Sequence, residues 1–128
     1  MLAGDFNVAP TGFDIYPTKS WDNDALVQPA PRERFNRLLE QGWTDAIRTL
    51  YPKESMYTFW HYLRNRWQRN AGLRIDHFLL NAPAAAMLAD AGVDKVTRGK
   101  EGASDHAPAW VRLTQAKSQR RLDRRSNR

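Results

Sequence analysis

The sequence predicts a mixed fold of the α/β (α+β) class, in which helices pack on a layered sheet. Runs rich in aromatic and β-branched residues alternate with segments of helical pattern. A length of 128 residues allows one domain. The hydrophobic share of 41% and the charged share of 27% are typical of globular proteins. No apolar run reaches the roughly 20 residues of a membrane helix, so no membrane partner is expected.

The absence of cysteine excludes several classes of chemistry. Without cysteine there are no disulfides, no thiolate nucleophile and no zinc–thiolate site. A reducing cytoplasm fits this composition, and the first five residues do not resemble a signal peptide. We therefore expect a cytoplasmic location.

The net charge of +6 is concentrated at the end of the chain. Residues 115–128 contain six basic residues and one acid, so they carry five of the six net positive charges. A basic tail attracts polyanions without sequence preference, although a solvated end is the simpler interpretation. We expect a domain over residues 1–114 and a basic, disordered tail over residues 115–128.

The first third of the chain predicts a strand, a long loop and two helices. Residues 2–8 have the pattern of a buried strand that ends in a polar loop, and residues 9–31 are rich in turn-forming residues. Loops of that length are often functional, and Lys19 and Trp21 could face a polyanion or simply pack. A helix is predicted over 31–42, from Pro31 to a Gly42 cap, and a shorter one over 43–50 with Thr44 as N-cap.

The rest of the chain predicts strands separated by short connections. Residues 56–62 and 73–80 have strand composition, as do 93–98 and 107–113, whereas the alanine-rich residues 83–90 predict a helix closed by Gly92. The loop over 63–72 carries Arg64, Arg66 and Arg69 around an aromatic residue. Guanidinium groups bind phosphates and rings stack on bases, but an arginine-rich loop can also be an ordinary solvated surface.

Acidic residues recur beside three of the predicted strands. Asp5 is followed by Asn7, Asp76 by His77 and Asp105 by His106. If these strands are neighbours, three carboxylates, an amide and an imidazole converge on one rim. Phosphodiester hydrolysis needs such groups to activate water, bind a divalent cation and stabilise phosphoryl charge. Each motif alone could be structural: the first a turn, and Arg74 with Asp76 an ion pair.

Four stretches taken in order resemble a known family. Residues 2–10 (LAGDFNVAP), 57–60 (YTFW), 72–77 (GLRIDH) and 104–108 (SDHAP) are similar to the later motifs of the exonuclease III / apurinic-apyrimidinic endonuclease family. That family belongs to the endonuclease/exonuclease/phosphatase superfamily. The resemblance implies a DNA-repair phosphodiesterase that depends on Mg²⁺, with Mn²⁺ as a possible substitute. It would cut double-stranded DNA beside abasic sites and remove nucleotides from 3′ ends.

The resemblance assigns roles to individual residues. It implies that Asp5 activates the water beside Asn7, and that His106 contacts the scissile phosphate with Asp76 as its partner. Asp105 would lie near the metal and the leaving group. The resemblance further implies an apolar sugar pocket made by Phe59, Trp60, Leu73 and Ile75. From the composition of their loop, Arg64 and Arg66 are expected to contact the substrate. Many relatives have tryptophan at position 73, and His77 is expected to face away.

The resemblance covers only the C-terminal half of the family's domain. That domain is a four-layer α/β sandwich, and its other half supplies the glutamate that is the main metal ligand. We therefore expect a truncated or split form with an uncovered apolar face, which a missing N-terminal half or a second copy of the chain would cover. Two alternatives remain open: a catalytically inactive DNA-binding fragment, and a superfamily phosphatase with another substrate.

Overall fold

A computed structural model describes residues 1–17 and 25–115 of the chain. The expectations for Lys19, for Trp21 and for the basic tail beyond residue 115 lie outside the described residues. Among the described residues, helices and strands are mixed as predicted. Every described strand pair is antiparallel.

A three-stranded sheet brings the first two acidic motifs together. It consists of β1 (Leu2–Asp5), β2 (Thr44–Asp45) and β3 (Asp76–Leu80), in the order β1-β3-β2. The predicted strand over 2–8 is present and ends at Asp5, whereas the one over 73–80 begins only at Asp76. In the register of β1 with β3, Asp5 lies directly opposite Asp76. The two carboxylates therefore share one end of the sheet.

A two-stranded sheet consists of β4 (Leu88–Val93) and β5 (Ala109–Leu113). The predicted last strand is confirmed. Glycine at position 92 is required by close packing, because a Cβ there would lie 2.7 Å from the ring of its cross-strand neighbour Trp110. Leu2, Trp110 and Leu113 expose apolar side chains, 43% of Trp110 being accessible.

The predictions for residues 83–98 were wrong in two places. The alanine-rich helix α3 is only Ala82–Ala86, and residues 88–90 belong to β4. Residues 95–98, predicted as strand, form the short helix α4 (Lys95–Arg98). Pairing of β4 with β5 overrides the local helix preference of alanine, which is the usual reason that propensity fails.

The two predicted helices near residues 31–50 are present with altered starts. Helix α1 is Pro29–Glu40, two residues earlier than predicted, and it buries Phe35 against Val8 and Leu79. Helix α2 is Ala46–Leu50. Its N-cap is Asp45, whose side chain accepts a hydrogen bond from the backbone of Arg48, and not Thr44 as predicted. Thr44 lies instead in β2.

Residues 56–62 do not form the predicted strand. Phe59 makes isolated bridges to Leu73 on one side and to His106 on the other. A Cβ at Gly72 would lie 2.7 Å from the Trp60 indole nitrogen, so the two segments approach closely at that point. The segment therefore joins the β3 region to the loop before β5, as a connector between the two sheets.

Buried Arg74 links three parts of the chain that are distant in sequence. Its guanidinium donates to both carboxylate oxygens of Asp45 (2.9 and 2.8 Å) and to Asp14 Oδ1 (2.6 Å). Its backbone amide donates to the carbonyl of Asp14 (2.8 Å), and Arg48 also pairs with that carboxylate. The suggested ion pair between Arg74 and Asp76 was therefore wrong. Burial alone would raise the pKa of Asp14, but hydrogen bonds and charge from Arg74 lower it.

His77 extends this buried network towards β1. Its Nε2 donates to the Val8 carbonyl (2.8 Å), so Nδ1 is the acceptor for Arg74 (3.2 Å). The ring also packs against Phe6 and Phe35. Burial, followed by the charge of Arg74, lowers the pKa of His77. His77 is thus a neutral structural residue, facing away from the acidic rim as expected.

Acidification should destabilise the fold through His77. Its folded pKa lies below the usual value, so between the two pKa values the unfolded chain binds a proton that the folded chain does not. The free energy of unfolding should therefore fall as pH drops from 7 to 5, by at most about 1.4 kcal/mol per pH unit from this site. Urea unfolding of the parent and of His77→Gln at each pH measures the difference in slope. Equal slopes for the parent and His77→Gln would refute the role.

Replacing Arg74 should strongly lower the free energy of unfolding, because two buried carboxylates lose their cation. Arg74→Met leaves Asp14 and Asp45 facing each other without their main cation, and we expect a loss of about 3–5 kcal/mol in the free energy of unfolding. Adding Asp14→Asn and Asp45→Asn should recover part of the loss, because neutral side chains cost less to bury. The exposed Arg112→Met should change stability by less than about 0.5 kcal/mol. Urea titration of these variants, read by tryptophan fluorescence, tests the order.

Within the part of the chain that the structure describes, no helix is long and apolar enough to cross a bilayer.

Candidate functional site

The candidate site lies where the ends of β1 and β3 meet the loop before β5. Asp5 ends β1 and Asp76 begins β3, and the Phe6 amide continues the pairing by donating to the Ile75 carbonyl (3.0 Å). Asn7 follows in a left-handed conformation with φ of 52°, and its backbone amide donates to Asp5 Oδ1 (2.9 Å). Asparagine tolerates this conformation better than most residues, so this tight turn fixes the orientation of the Asp5 carboxylate.

His106 joins the carboxylates into one cluster. Its Nδ1 lies 2.8 Å from Asp76 Oδ2, and its Nε2 lies 3.7 Å from Asp5 Oδ2 and 3.9 Å from Asp105 Oδ1. Because a carboxylate only accepts, the proton of the short bond belongs to Nδ1. Nε2 then faces Asp5 and Asp105, and 30% of the side chain is accessible to solvent. The structure thus brings together four of the five predicted catalytic side chains, with Asn7 contributing its backbone.

The loop that carries His106 is held by backbone bonds to residues 58–60. The Trp60 amide donates to the Asp105 carbonyl (2.9 Å), and the Ala107 amide donates to the Thr58 carbonyl (2.8 Å). The His106 amide donates to Ser104 Oγ (3.1 Å). These bonds set the distance between the imidazole and Asp76 through rigid backbone.

Thr58 is a residue that sequence reasoning missed. Its hydroxyl oxygen accepts from the amides of Ile75 (3.1 Å) and Asp76 (3.2 Å), and the side chain is fully buried. One threonine therefore fixes the start of β3 with its hydroxyl and the His106 loop with its carbonyl. A lone threonine within an aromatic run was the available indication, since a buried hydroxyl needs partners.

The predicted sugar-pocket residues lie mostly in the core. Phe59, Trp60, Leu73 and Ile75 are all buried, and Leu73 and Ile75 share a cluster with Ala9 and Val27. Phe59 contacts the site directly, with its ring 5.1 Å from that of His106. Phe59 forms one wall of the site, next to His106. Trp60, Leu73 and Ile75 are buried behind this wall.

The predicted arginines occupy the loop beside the site. Arg64 is exposed with φ of 59°, and its carbonyl accepts from the Arg69 side chain (3.2 Å). Arg66 is half-buried, and its guanidinium lies 5.8 Å from the ring centre of Tyr16. Three residues separate Arg64 from Trp60 in the chain.

The donor atoms suit a cation that prefers oxygen ligands and water. Asp5, Asp76 and His106 offer ligand atoms that all lie within 4.8 Å of one another. The short hydrogen bond joins Asp76 Oδ2 to His106 Nδ1, which leaves Asp76 Oδ1 and His106 Nε2 as the atoms of this pair that could face a cation. Carboxylates suit Mg²⁺, which usually takes one or two of them and several waters.

The rim combines a fixed carboxylate, a carboxylate–imidazole pair and a further acid. This inventory suits attack by water on a phosphate ester more than acyl or redox chemistry, since carboxylates activate water and an imidazole stabilises phosphoryl charge. In agreement with that class, the chain belongs to the Endonuclease/Exonuclease/phosphatase family, whose sequence profile matches residues 1–106.

Two curated relatives of the chain are named as nucleases. The DNA repair nuclease APEX1 of Danio rerio is 38% identical over 114 residues, which are 88% of this chain and 36% of that protein. The Exodeoxyribonuclease of Bacillus subtilis is 36% identical over 109 residues, which are 84% of this chain and 42% of the relative. The chain thus spans well under half the length of these curated relatives.

Solved structures agree with the fold. The 3'-5' exonuclease NExo from Neisseria meningitidis superimposes with a TM-score of 0.85 at 39% identity, over 89% of this chain and 44% of that one. An AP endonuclease from Archaeoglobus fulgidus gives a TM-score of 0.81 at 31% identity, over 87% and 44% of the two chains. The mixed fold is therefore that of the corresponding part of the family's domain.

Asp76 should control the tautomer of His106. Removing its charge with Asp76→Asn weakens the bond that holds the proton on Nδ1, so the ring should sample both tautomers. Nitrogen-15 chemical shifts of the two ring nitrogens report the tautomer directly. Asp90→Asn, which alters a carboxylate on β4, should leave them unchanged. Identical shifts in the parent and Asp76→Asn would contradict the assignment.

Proposed function

We propose that this chain carries the hydrolytic part of a DNA-repair phosphodiesterase of exonuclease III type. The activity proposed is 3′-5′ exodeoxyribonuclease together with cleavage at abasic sites. The single observation that carries the proposal is the cluster in which Asp76 orients His106 towards Asp5 and Asp105. The names of the relatives support DNA as the substrate class. A cytoplasmic location remains a prediction.

In the proposed mechanism, Asp5 orients a water molecule and accepts its proton as the water oxygen attacks phosphorus. The turn through Asn7 keeps that carboxylate fixed, which lowers the reorganisation needed during the reaction. Nε2 of His106 stabilises charge on the phosphoryl oxygens while Asp76 holds the ring. The bond between phosphorus and the leaving oxygen then breaks, and Asp105 lies next to that oxygen.

The metal proposed for this reaction is Mg²⁺, with Mn²⁺ as a possible substitute. Asp105 would hold it, and the bound ion would neutralise charge on the phosphoryl group. By the family resemblance, the main glutamate ligand belongs to the half of the domain that this sequence does not include.

The proposed partner is duplex DNA with abasic sites or free 3′ ends. Arg64 and Arg66 would contact backbone phosphates from the loop beside the site. Phe59 would meet the sugar at the edge of the wall, supported by buried Trp60, Leu73 and Ile75. An abasic sugar suits this wall better than a paired nucleotide, because no base needs to be accommodated.

A missing N-terminal half, or a second copy of the chain, is the proposed protein partner. β1 is exposed along its whole length, and its outer edge has no strand partner among the described residues. A groove of about 360 Å³ extends from β1 onto β3 and the start of β5, and it is lined by Ala3, Gly4, Asp76, His77, Phe78, Ala107, Pro108 and Ala109. The unpaired outer edge of β1 is a template for another strand.

A second candidate is DNA binding without catalysis. It is favoured by the short coverage of the relatives together with the exposed Arg64 and Arg69 of the loop beside the site. A phosphatase activity is the third possibility, because one structural relative from Neisseria is described as a 3' phosphatase.

Incision of a duplex with one abasic-site analogue, in Mg²⁺ and then in EDTA, tests the proposal. The 128-residue chain is assayed alone and with the N-terminal half of a relative. Asp5→Asn should reduce the rate by about 10²–10⁴-fold, because it removes the base. Asp90→Asn, on β4, should cut like the parent.

Equal cutting by the parent and Asp5→Asn would remove the proposed role of Asp5. Incision only when the N-terminal half is added would identify one active site divided between two chains. No incision in either case, with DNA binding retained by the parent, would replace catalysis by the DNA-binding alternative.

A further inference from the structure

Arg98, the last residue of α4, is a buried cation with unusual partners. Only 7% of the residue is accessible, and among the described residues no carboxylate pairs with it. Its Nη2 donates instead to the Trp60 carbonyl (2.7 Å). The guanidinium carbon lies 5.2 Å from the ring centre of Tyr62 and 5.4 Å from that of Trp67. A guanidinium can make both kinds of contact because it is planar and carries several donors.

The rings around Arg98 are themselves fixed. Trp67 meets Trp60 edge to face, with ring centres 5.1 Å apart, and the Trp60 indole donates to Asn70 Oδ1 (3.1 Å). Trp67 also lies against Gly99, where a Cβ would come within 2.9 Å of the ring. We call Arg98 with Trp60, Tyr62 and Trp67 the aromatic clamp.

The aromatic clamp is attached to the loop that carries the site. The Trp60 amide donates to the Asp105 carbonyl (2.9 Å), and the Tyr62 hydroxyl donates to the Ala103 carbonyl (2.8 Å). On the other side, the Asp94 amide just before α4 donates to the Pro108 carbonyl (2.7 Å). The segment from 103 to 108 is thus anchored on both sides of Asp105 and His106. Arg98 links the Trp60–Asp105 bond to the Asp94–Pro108 bond, because it belongs to α4 and its guanidinium binds the Trp60 carbonyl.

We propose that Arg98 is a positioning residue that holds Asp105 and His106 at their distances from Asp5 and Asp76 by fixing the Trp60 backbone. Its importance for catalysis rests on the proposed function. Arg98 touches none of these four side chains in the described structure, so it acts through the Trp60 peptide and not on the substrate. No local pattern indicates this role, because residues 93–98 have strand composition and a single arginine there forms no motif.

Amide hydrogen exchange on the 128-residue chain tests the positioning without requiring activity. In Arg98→Met, which keeps the length but loses the charge and donors, the amides of Trp60 and Ala107 should exchange at least 10-fold faster than in the parent. The amides of Phe6 and Arg74, bonded in the three-stranded sheet region, should change less than 2-fold. Gly99→Ala should have the same local effect, because it displaces Trp67 while Arg98 is retained.

A control separates positioning from a loss of stability. Ile47→Val removes one methyl group from the buried face of α2, away from the clamp, and should accelerate all protected amides similarly. The same uniform pattern in Arg98→Met, or no change, would overturn the proposal. Arg98→Lys can still donate to the Trp60 carbonyl but cannot stack as a plane, so an intermediate acceleration is expected.

Steady-state incision by the active form, alone or with an N-terminal half, provides the second measurement. Arg98→Met should lower kcat about 10-fold and leave KM within 2-fold, because Arg98 bonds to the Trp60 carbonyl and not to Phe59, Arg64 or Arg66, which are the proposed substrate contacts. If kcat is unchanged although the amides of Trp60 and Ala107 exchange faster, the proposed effect of Arg98 on catalysis is wrong. If the parent shows no incision in any form, the proposed function fails, and the exchange comparison still decides whether Arg98 holds the loop.

Discussion

The buried ion network of Arg74 is the constraint on which the rest of the structure depends. A fully buried guanidinium is tolerated only when carboxylates satisfy it, and here they come from two segments distant in sequence, at Asp14 and Asp45. Satisfying Arg74 therefore fixes the loop before α1 and the start of α2 against the beginning of β3. His77 carries the same constraint to the carbonyl of Val8, just after the turn that orients Asp5. Because Asp76 adjoins His77 in β3 and successive side chains of a strand point to opposite faces, this network holds the acidic rim in place from behind.

The site itself is a junction between two small sheets. Asp5 and Asp76 come from opposite positions of paired strands, and His106 comes from a loop whose backbone is bonded to residues 58 and 60. Thr58 is central to this junction, since its hydroxyl serves β3 and its carbonyl serves the loop. Such an arrangement presents a partly exposed imidazole from a rigid frame, and preorganised charges of this kind are what phosphoryl chemistry requires. The aromatic clamp extends the frame to α4.

The same architecture explains why the chain resembles part of a larger domain. Within the described residues the two sheets have three and two strands, and the outer edge of β1 is unpaired. The exposed side chains of Leu2, Trp110 and Leu113 agree with the expectation of an incompletely covered apolar surface. The relatives superimpose closely over this part while being more than twice as long. Family membership rests on the sequence profile over residues 1–106 and on these superpositions.

The sequence by itself determined the mixed fold class, helix α1, the strands at β1 and β5, and the acidic motifs with His106. These features can be recognised from residues that are close together in the sequence: the apolar face of a helix, the composition of a strand, and short motifs. Only the tertiary structure decided that residues 88–93 form a strand, that residues 56–62 connect two sheets, and that Arg74 pairs with Asp14 and Asp45. It also revealed Thr58 and Arg98. The physical reason is that these roles depend on partners many residues away, and the free energy of such pairings outweighs the small local propensities that a sequence displays.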